Sequence, residues 1–167
     1  MSEIAGLKEV IERLRQHHEY LLTLAGQKMT AIGKADRQAL EEIVRFEQEE
    51  RRVLRQLEAE RMSIVSALIE RYCPHLERNA PIAEWLPYLP EQERRDIEGA
   101  RENLQTRLND LRAKNELNQQ LLEDGLVIVR ATLDALQREE GFITYTSAAD
   151  AKVSNGYERY SAIDSRA

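Results

Sequence analysis

The side chains from which catalytic and metal sites are most often built are scarce in this chain. They are three histidines, His17, His18 and His75, and a single cysteine, Cys73. His17 and His18 are sequence neighbours, so on a helix they point about 100° apart and cannot both face one site. Cys73 and His75 form a lone Cys-x-His pair, without the further ligands a zinc site needs. A helical bundle that holds a di-iron centre uses inward Glu with Glu-x-x-His spacing, and no Glu here has a His three residues later. A Gly-rich phosphate loop, a Gly-x-Ser-x-Gly elbow and a Walker sequence are also absent. The reading is a protein that is not an enzyme and that holds no metal and no cofactor.

What remains is the chemistry of apolar surface carried on helices. The chain has 167 residues, 32% of them charged and only 5% aromatic, with 7 Gly and 4 Pro. Abundant Leu, Ala, Glu, Gln and Arg with little Gly favour long helices, and few aromatics suggest a seam between helices rather than a thick core. The net charge of −6 disfavours a phosphate backbone as partner. The Arg pairs at Arg51–Arg52 and Arg94–Arg95 are flanked by Glu, so no nucleic acid is expected. The N-terminal Met-Ser-Glu-Ile-Ala-Gly has neither a basic nor an apolar signal region. The longest apolar runs, such as Leu126–Val129, are far short of a membrane span. A cytoplasmic protein without membrane insertion is expected.

The elements follow from periodicity. Ile4, Leu7, Ile11, Leu14, Leu21 and Ala25 alternate steps of three and four, the pattern of a coiled-coil-like helix over about 2–32. Gly33 is placed to end it in a left-handed conformation. Asp36 is placed to cap a second helix over 36–72, with a seam of Leu40, Ile43, Leu54, Leu57, Ile64 and Leu68. Glu47, Glu50 and Arg61 interrupt that seam, which reads as a solvated stretch. All four prolines fall in 73–90, where they break the helix. A short helical turn with Trp85 at its centre would cap the bundle end there. A third helix over 91–140, on the order of 75 Å long at ~1.5 Å per residue, would carry Ile97, Leu104, Leu108, Leu111, Asn115, Asn118, Leu122, Gly125, Val129 and Leu136, and Gly141 would stop it. The expected fold is all-α: an elongated antiparallel three-helix coiled-coil-like bundle (1–140) with a Pro-rich helical loop and a flexible C-terminal tail (141–167).

The third helix carries more apolar surface than one seam requires. Leu122, Val129 and Leu136 occupy the seam, Leu117, Leu121 and Ile128 lie to one side, and Leu126 and Leu133 to the other. Either both flanks are buried within the bundle or a homodimer, or they form a groove for an amphipathic partner helix. Gly125 and the seam asparagines weaken the helix or the seam, which suits close helix approach or a helix that stays adjustable.

In this segment Leu111, Asn115, Asn118, Leu121 and Leu122 make a Leu-x3-Asn-x2-Asn-x2-Leu-Leu pattern, followed by an apolar helix end and a Tyr-bearing tail. Upstream lie a Leu-rich first helix, an Ala-Asp-x3-Leu-Glu start to the second at Ala35–Glu41, and a Glu/Arg-rich continuation through Arg61. In this order the features resemble the FlgN family of flagellar export chaperones over nearly the whole chain. The resemblance implies a cytoplasmic type III export chaperone for the hook-filament junction proteins FlgK and FlgL, whose amphipathic terminal helices it would shield and deliver to the export gate protein FlhA. Client binding then falls to Leu117, Leu121, Leu122, Leu126, Ile128, Val129, Leu133 and Leu136, and gate docking to Tyr145 in Phe-Ile-Thr-Tyr-Thr. Family members often have Gly after this Tyr, where this chain has Thr146. The alternative is a structural coiled-coil adaptor that self-associates through the same apolar face.

Overall fold

A computed structural model describes the backbone of residues 3–153 and the side chains of residues 3–138. The described residues are all-α, with no strand: α1 (Glu3–Gly33), α2 (Arg37–Tyr72), α3 (Ile82–Trp85), a 3-10 turn (Leu86–Tyr88) and α4 (Glu91–Val153). There are thus four α-helices where periodicity suggested three, because the Pro-rich stretch is long enough to form one of its own. Pro81 and Pro87 sit at the starts of the two short pieces, where a missing backbone donor costs little.

The turn between α1 and α2 departs from expectation in one residue. Gly33 stays within α1, and the left-handed residue is Ala35, with φ 51°. The Asp36 amide donates to the Ala31 carbonyl and the Ala35 amide to that of Ile32, so two of the last helical carbonyls are satisfied two residues later than the glycine position implied. An alanine there bears a strain of about 1 kcal/mol that a glycine would not. Asp36 caps α2 as expected, its side chain accepting from the Ala39 amide at 3.0 Å.

The chain divides into two compact units, one through Leu122 and one from Glu123. In the first unit α1 and α2 pack antiparallel, as their ion pairs record in sequence: Glu3 with Arg71, Arg13 with Glu60, His17 with Glu50, and Lys28 with Glu47. The first part of α4 runs alongside α1 in the same direction, since Lys8 bonds Asp96 and Ala25 receives Asn118. The largest core cluster joins Ile4, Leu7 and Ile11 of α1 to Val65, Leu68 and Ile69 of α2 and to Ile97 of α4. Trp85, Leu86 and Leu89 close that end of the packing, which is why the Pro-rich stretch is held in place. Further along, Val10 and Leu14 pack with Leu57, and Leu24 and Ala31 with Ile43. The buried stripe of α1 includes Val10 and Leu24 beside the expected positions: a helix flanked by two neighbours buries a wider arc than a single seam.

The polar middle of α2 is not a solvated face. Glu47 is buried and accepts from Lys28 Nζ at 2.9 and 3.1 Å, with Arg51 3.8 Å away. Glu50 meets His17 Nδ1 at 2.7 Å. These residues keep the seam positions but fill them with an ion pair at Glu47 and a hydrogen bond at Glu50.

In the second unit α4 continues as helix to Val153, so Gly141 does not stop it. A glycine inside a helix costs only about 1 kcal/mol relative to alanine, and Phe142–Thr144 continue without a proline. The tail expected from 141 is therefore helical at least to Val153, and residues 154–167 lie outside the described ones. No helix among the described residues is long and apolar enough to cross a membrane.

Candidate functional site

The residues first considered for chemistry are dispersed and individually satisfied. His17 engages Glu50, and His18 Nδ1 lies 2.7 Å from the Leu14 carbonyl, to which it donates. Cys73 points into the core at 1% exposure, and burial pushes its thiol pKa up, away from the thiolate form that reacts. His75 Nε2 instead lies 3.1 Å from the Tyr88 hydroxyl, with the two rings edge to face. Among the described residues no group of three His, Cys, Asp or Glu side chains is arranged to hold a metal ion.

The apolar face of α4 is built by the loss of its neighbours along the helix. Ile97 is fully buried and Leu104, Leu108 and Leu111 are half-buried. Asn118 is the last buried residue among those described: it is 3% exposed, and its Nδ2 donates to the Ala25 carbonyl at 2.8 Å. Its partner in the expected seam, Asn115, is exposed. From Gln119 to Arg138 every side chain is exposed.

The predicted client-binding residues fall in two groups. Leu117, Leu121 and Leu122 belong to the first unit and are exposed at its edge. Leu122 also borders a cavity of about 370 Å³ that reaches Asn118, Lys28 and Glu47. Leu126, Ile128, Val129, Leu133 and Leu136 belong to the second unit, and each is more than half exposed, Ile128 most at 65%. At ~100° per residue, Leu126, Val129, Leu133 and Leu136 fall within about 80° of one another. Ile128 lies about 80° further round the helix from Leu136, so the exposed apolar arc wraps well beyond that one face. Val127, 64% exposed, extends it on the other side and was missed as a site residue, although the run Leu126–Val129 contains it. Gly125 does not mark a close approach, since a Cβ built there would meet nothing within 4 Å. Tyr145 falls within the helical backbone of α4, and its side chain lies outside the described residues.

This arrangement offers no reacting group. It offers an aliphatic ridge on a helix, with Arg130 and Asp134 between the apolar positions. Such a ridge can bind another apolar face, and the free energy would come from removing both from water.

The sequence profile described as "FlgN protein" matches residues 1–152. A protein of Bacillus subtilis (strain 168), YvyG, is 28% identical over 149 residues, covering 87% of this chain and 90% of its own, and is itself described as uncharacterized. No solved structure matches. With the profile covering both the helical hairpin and nearly all of α4, the chain belongs to the FlgN family of flagellar export chaperones.

Proposed function

We propose that this protein is a cytoplasmic, non-enzymatic chaperone of flagellar type III export that holds the amphipathic terminal helices of FlgK and FlgL on the apolar face of α4. It would keep these junction proteins from assembling prematurely and deliver them to the export gate protein FlhA. The single observation that carries the reading is the row of six aliphatic side chains from Leu126 to Leu136, each more than half exposed. Leu117, Leu121 and Leu122 extend the client site, and Tyr145 is assigned to the gate by its place in the family pattern. The family supplies the class of partner, and the ridge supplies a surface of the right chemistry for an amphipathic helix.

The energetics suit reversible capture. Burying ~600 Å² of apolar surface yields on the order of 15 kcal/mol gross, most of it offset by association and ordering. What survives is compatible with holding a client and releasing it at the gate without nucleotide hydrolysis.

The test is binding of a peptide from the C-terminal helix of FlgK or FlgL by calorimetry. Ile128→Asp is expected to weaken it at least a hundredfold while leaving the far-ultraviolet circular dichroism intact. Normal binding by this variant would move the client site elsewhere. A concentration-independent dimer that Ile128→Asp dissociates, with no peptide binding, would instead favour a self-associating structural adaptor.

A further inference from the structure

A second surface lies in the first unit, and no residue assigned to client or gate lines it. A cavity of about 450 Å³ opens between α2, the Pro-rich stretch and the first part of α4. Its floor is apolar: Ile11, Val65 and Trp85 are buried, and Leu104 and Leu108 are half-buried. Met62 stands at its rim, 55% exposed. The charged side chains that line it are all of one sign. Arg61, Arg78 and Arg101 line it, and no carboxylate does.

The three guanidinium groups are not equally engaged. Arg61 gives Nε and Nη2 to Glu58 at 2.9 and 2.6 Å, and Arg78 gives Nη2 to Glu70 at 2.7 Å. Each keeps donors to spare, since the group carries five N–H bonds. Arg101 has no hydrogen bond or ion pair among the described residues. An apolar hollow edged by three arginines, one of them unpaired, is complementary to an apolar side chain flanked by carboxylates.

The hollow also continues. It shares Gln105 and Leu108 with a shallower depression that runs along α4 past Leu111, Arg112 and Asn115 to Gln119, where Glu116 is the one carboxylate in the lining. From Arg101 to Gln119 is about 27 Å of helix at ~1.5 Å per residue. A small amphiphilic acid would fill one end only, whereas a helical peptide of similar length would lie along the whole of it.

We infer that this cleft is a second docking site, which takes an acidic amphipathic helix of a partner protein with an apolar anchor against Trp85 and carboxylates on Arg61, Arg78 and Arg101. Its lining shares no residue with the positions assigned to the client, so the two sites are tested by different substitutions.

Trp85 is the only tryptophan and forms part of the wall, so its emission reports occupancy. The full chain is titrated with two eighteen-residue helical peptides, one with Leu on one face and Glu on the other, the second with Gln replacing every Glu. The Leu/Glu peptide is expected to shift Trp85 emission and to bind at least tenfold more tightly than the Leu/Gln peptide at low salt. Arg101→Glu, an exposed substitution, should remove that preference with unchanged circular dichroism, and Ile128→Asp should leave it intact. Equal affinity for the two peptides, an Arg101→Glu variant that still prefers Leu/Glu, or loss of binding in Ile128→Asp would each overturn the proposal. So would dodecanoate shifting Trp85 emission with an affinity equal to the Leu/Glu peptide, which would make the site one for small acids.

Discussion

One helix carries two stretches that differ less in sequence than in fate. From Glu91 to Asn118, α4 presents isolated apolar residues at steps of three to seven, and those on the inner side are buried or half-buried, down to 0% exposure at Ile97. From Gln119 to Arg138 the apolar residues are more densely spaced, yet all are exposed. Apolar density therefore does not decide burial. Burial requires a facing element: Ile97 has the open end of the α1–α2 hairpin, capped by the Pro-rich stretch, against it, and Ile128 has none among the described residues. The sparse stretch is packed into the fold, and the dense one leaves its apolar side chains exposed.

The comparison breaks most readily at its two isoleucines. Ile97→Ala should cost about 2–5 kcal/mol of stability, because it opens a cavity in a packed site. Ile128→Ala should stay within about 0.5 kcal/mol, as surface substitutions do. Urea denaturation read by circular dichroism checks both, and equal losses would mean that the second stretch is packed after all.

A smaller effect tests the ionic layer near the boundary. Glu47→Ala leaves Lys28 without its acceptor at a site where the lysine side chain is 20% exposed. A loss of about 1–3 kcal/mol is expected, below the range for a fully buried pair because water still reaches the amine. A change near zero in the same denaturation experiment would return this stretch to the solvated face that its composition suggests.

Gly125→Ala sharpens the comparison from the exposed side. With nothing within 4 Å of the added Cβ, the substitution should gain up to about 1 kcal/mol of local helix stability. Slower amide exchange between 123 and 138 would register it.

The smallest expected effect lies at the acid limb. Lys8 Nζ donates to Asp96 at 2.7 Å, and that bond, with one from Gln92, holds the Asp96 carboxyl below its ordinary value of 3.8. A lowered carboxyl binds its proton less readily in the folded chain than in the unfolded one. Its contribution is thus complete above about pH 3.8 and is lost as pH falls through the lowered value. Because the pair is exposed the loss is slight, and Asp96→Asn should flatten that part of a stability-versus-pH curve.

Much of this organisation was legible from residue spacing. The seam residues Ile4, Leu7, Ile11, Ile43, Leu57, Leu68 and Ile97 are all buried, because a three-four alternation leaves a helix only one apolar stripe to bury. Asp36 was legible because a capping carboxylate acts within its own turn. The misreadings share a cause: they depend on what lies opposite. Glu47 looked solvated until Lys28 was brought beside it, and Asn118 could not be told from Asn115 without Ala25. Gly33 does end α1, with the left-handed turn taken two residues later by Ala35, whereas Gly141 misled because glycine permits a helix to end without obliging it to. The apolar residues of the candidate site were read correctly as surplus, since an arc wider than one seam is visible on a wheel; which of them lack a neighbour was not.

The buried thiol at the closed end of the bundle has a use unrelated to chemistry in the cell. Cys73 is the only cysteine, and its sulfur sits among the same residues that enclose Trp85 and Ile97. A thiol reagent can reach it only when that end opens. The rate of labelling under native conditions, divided by the rate for the unfolded chain, is therefore a direct equilibrium constant for opening of the capped end. It gives the open fraction of one end of the molecule with no substitution.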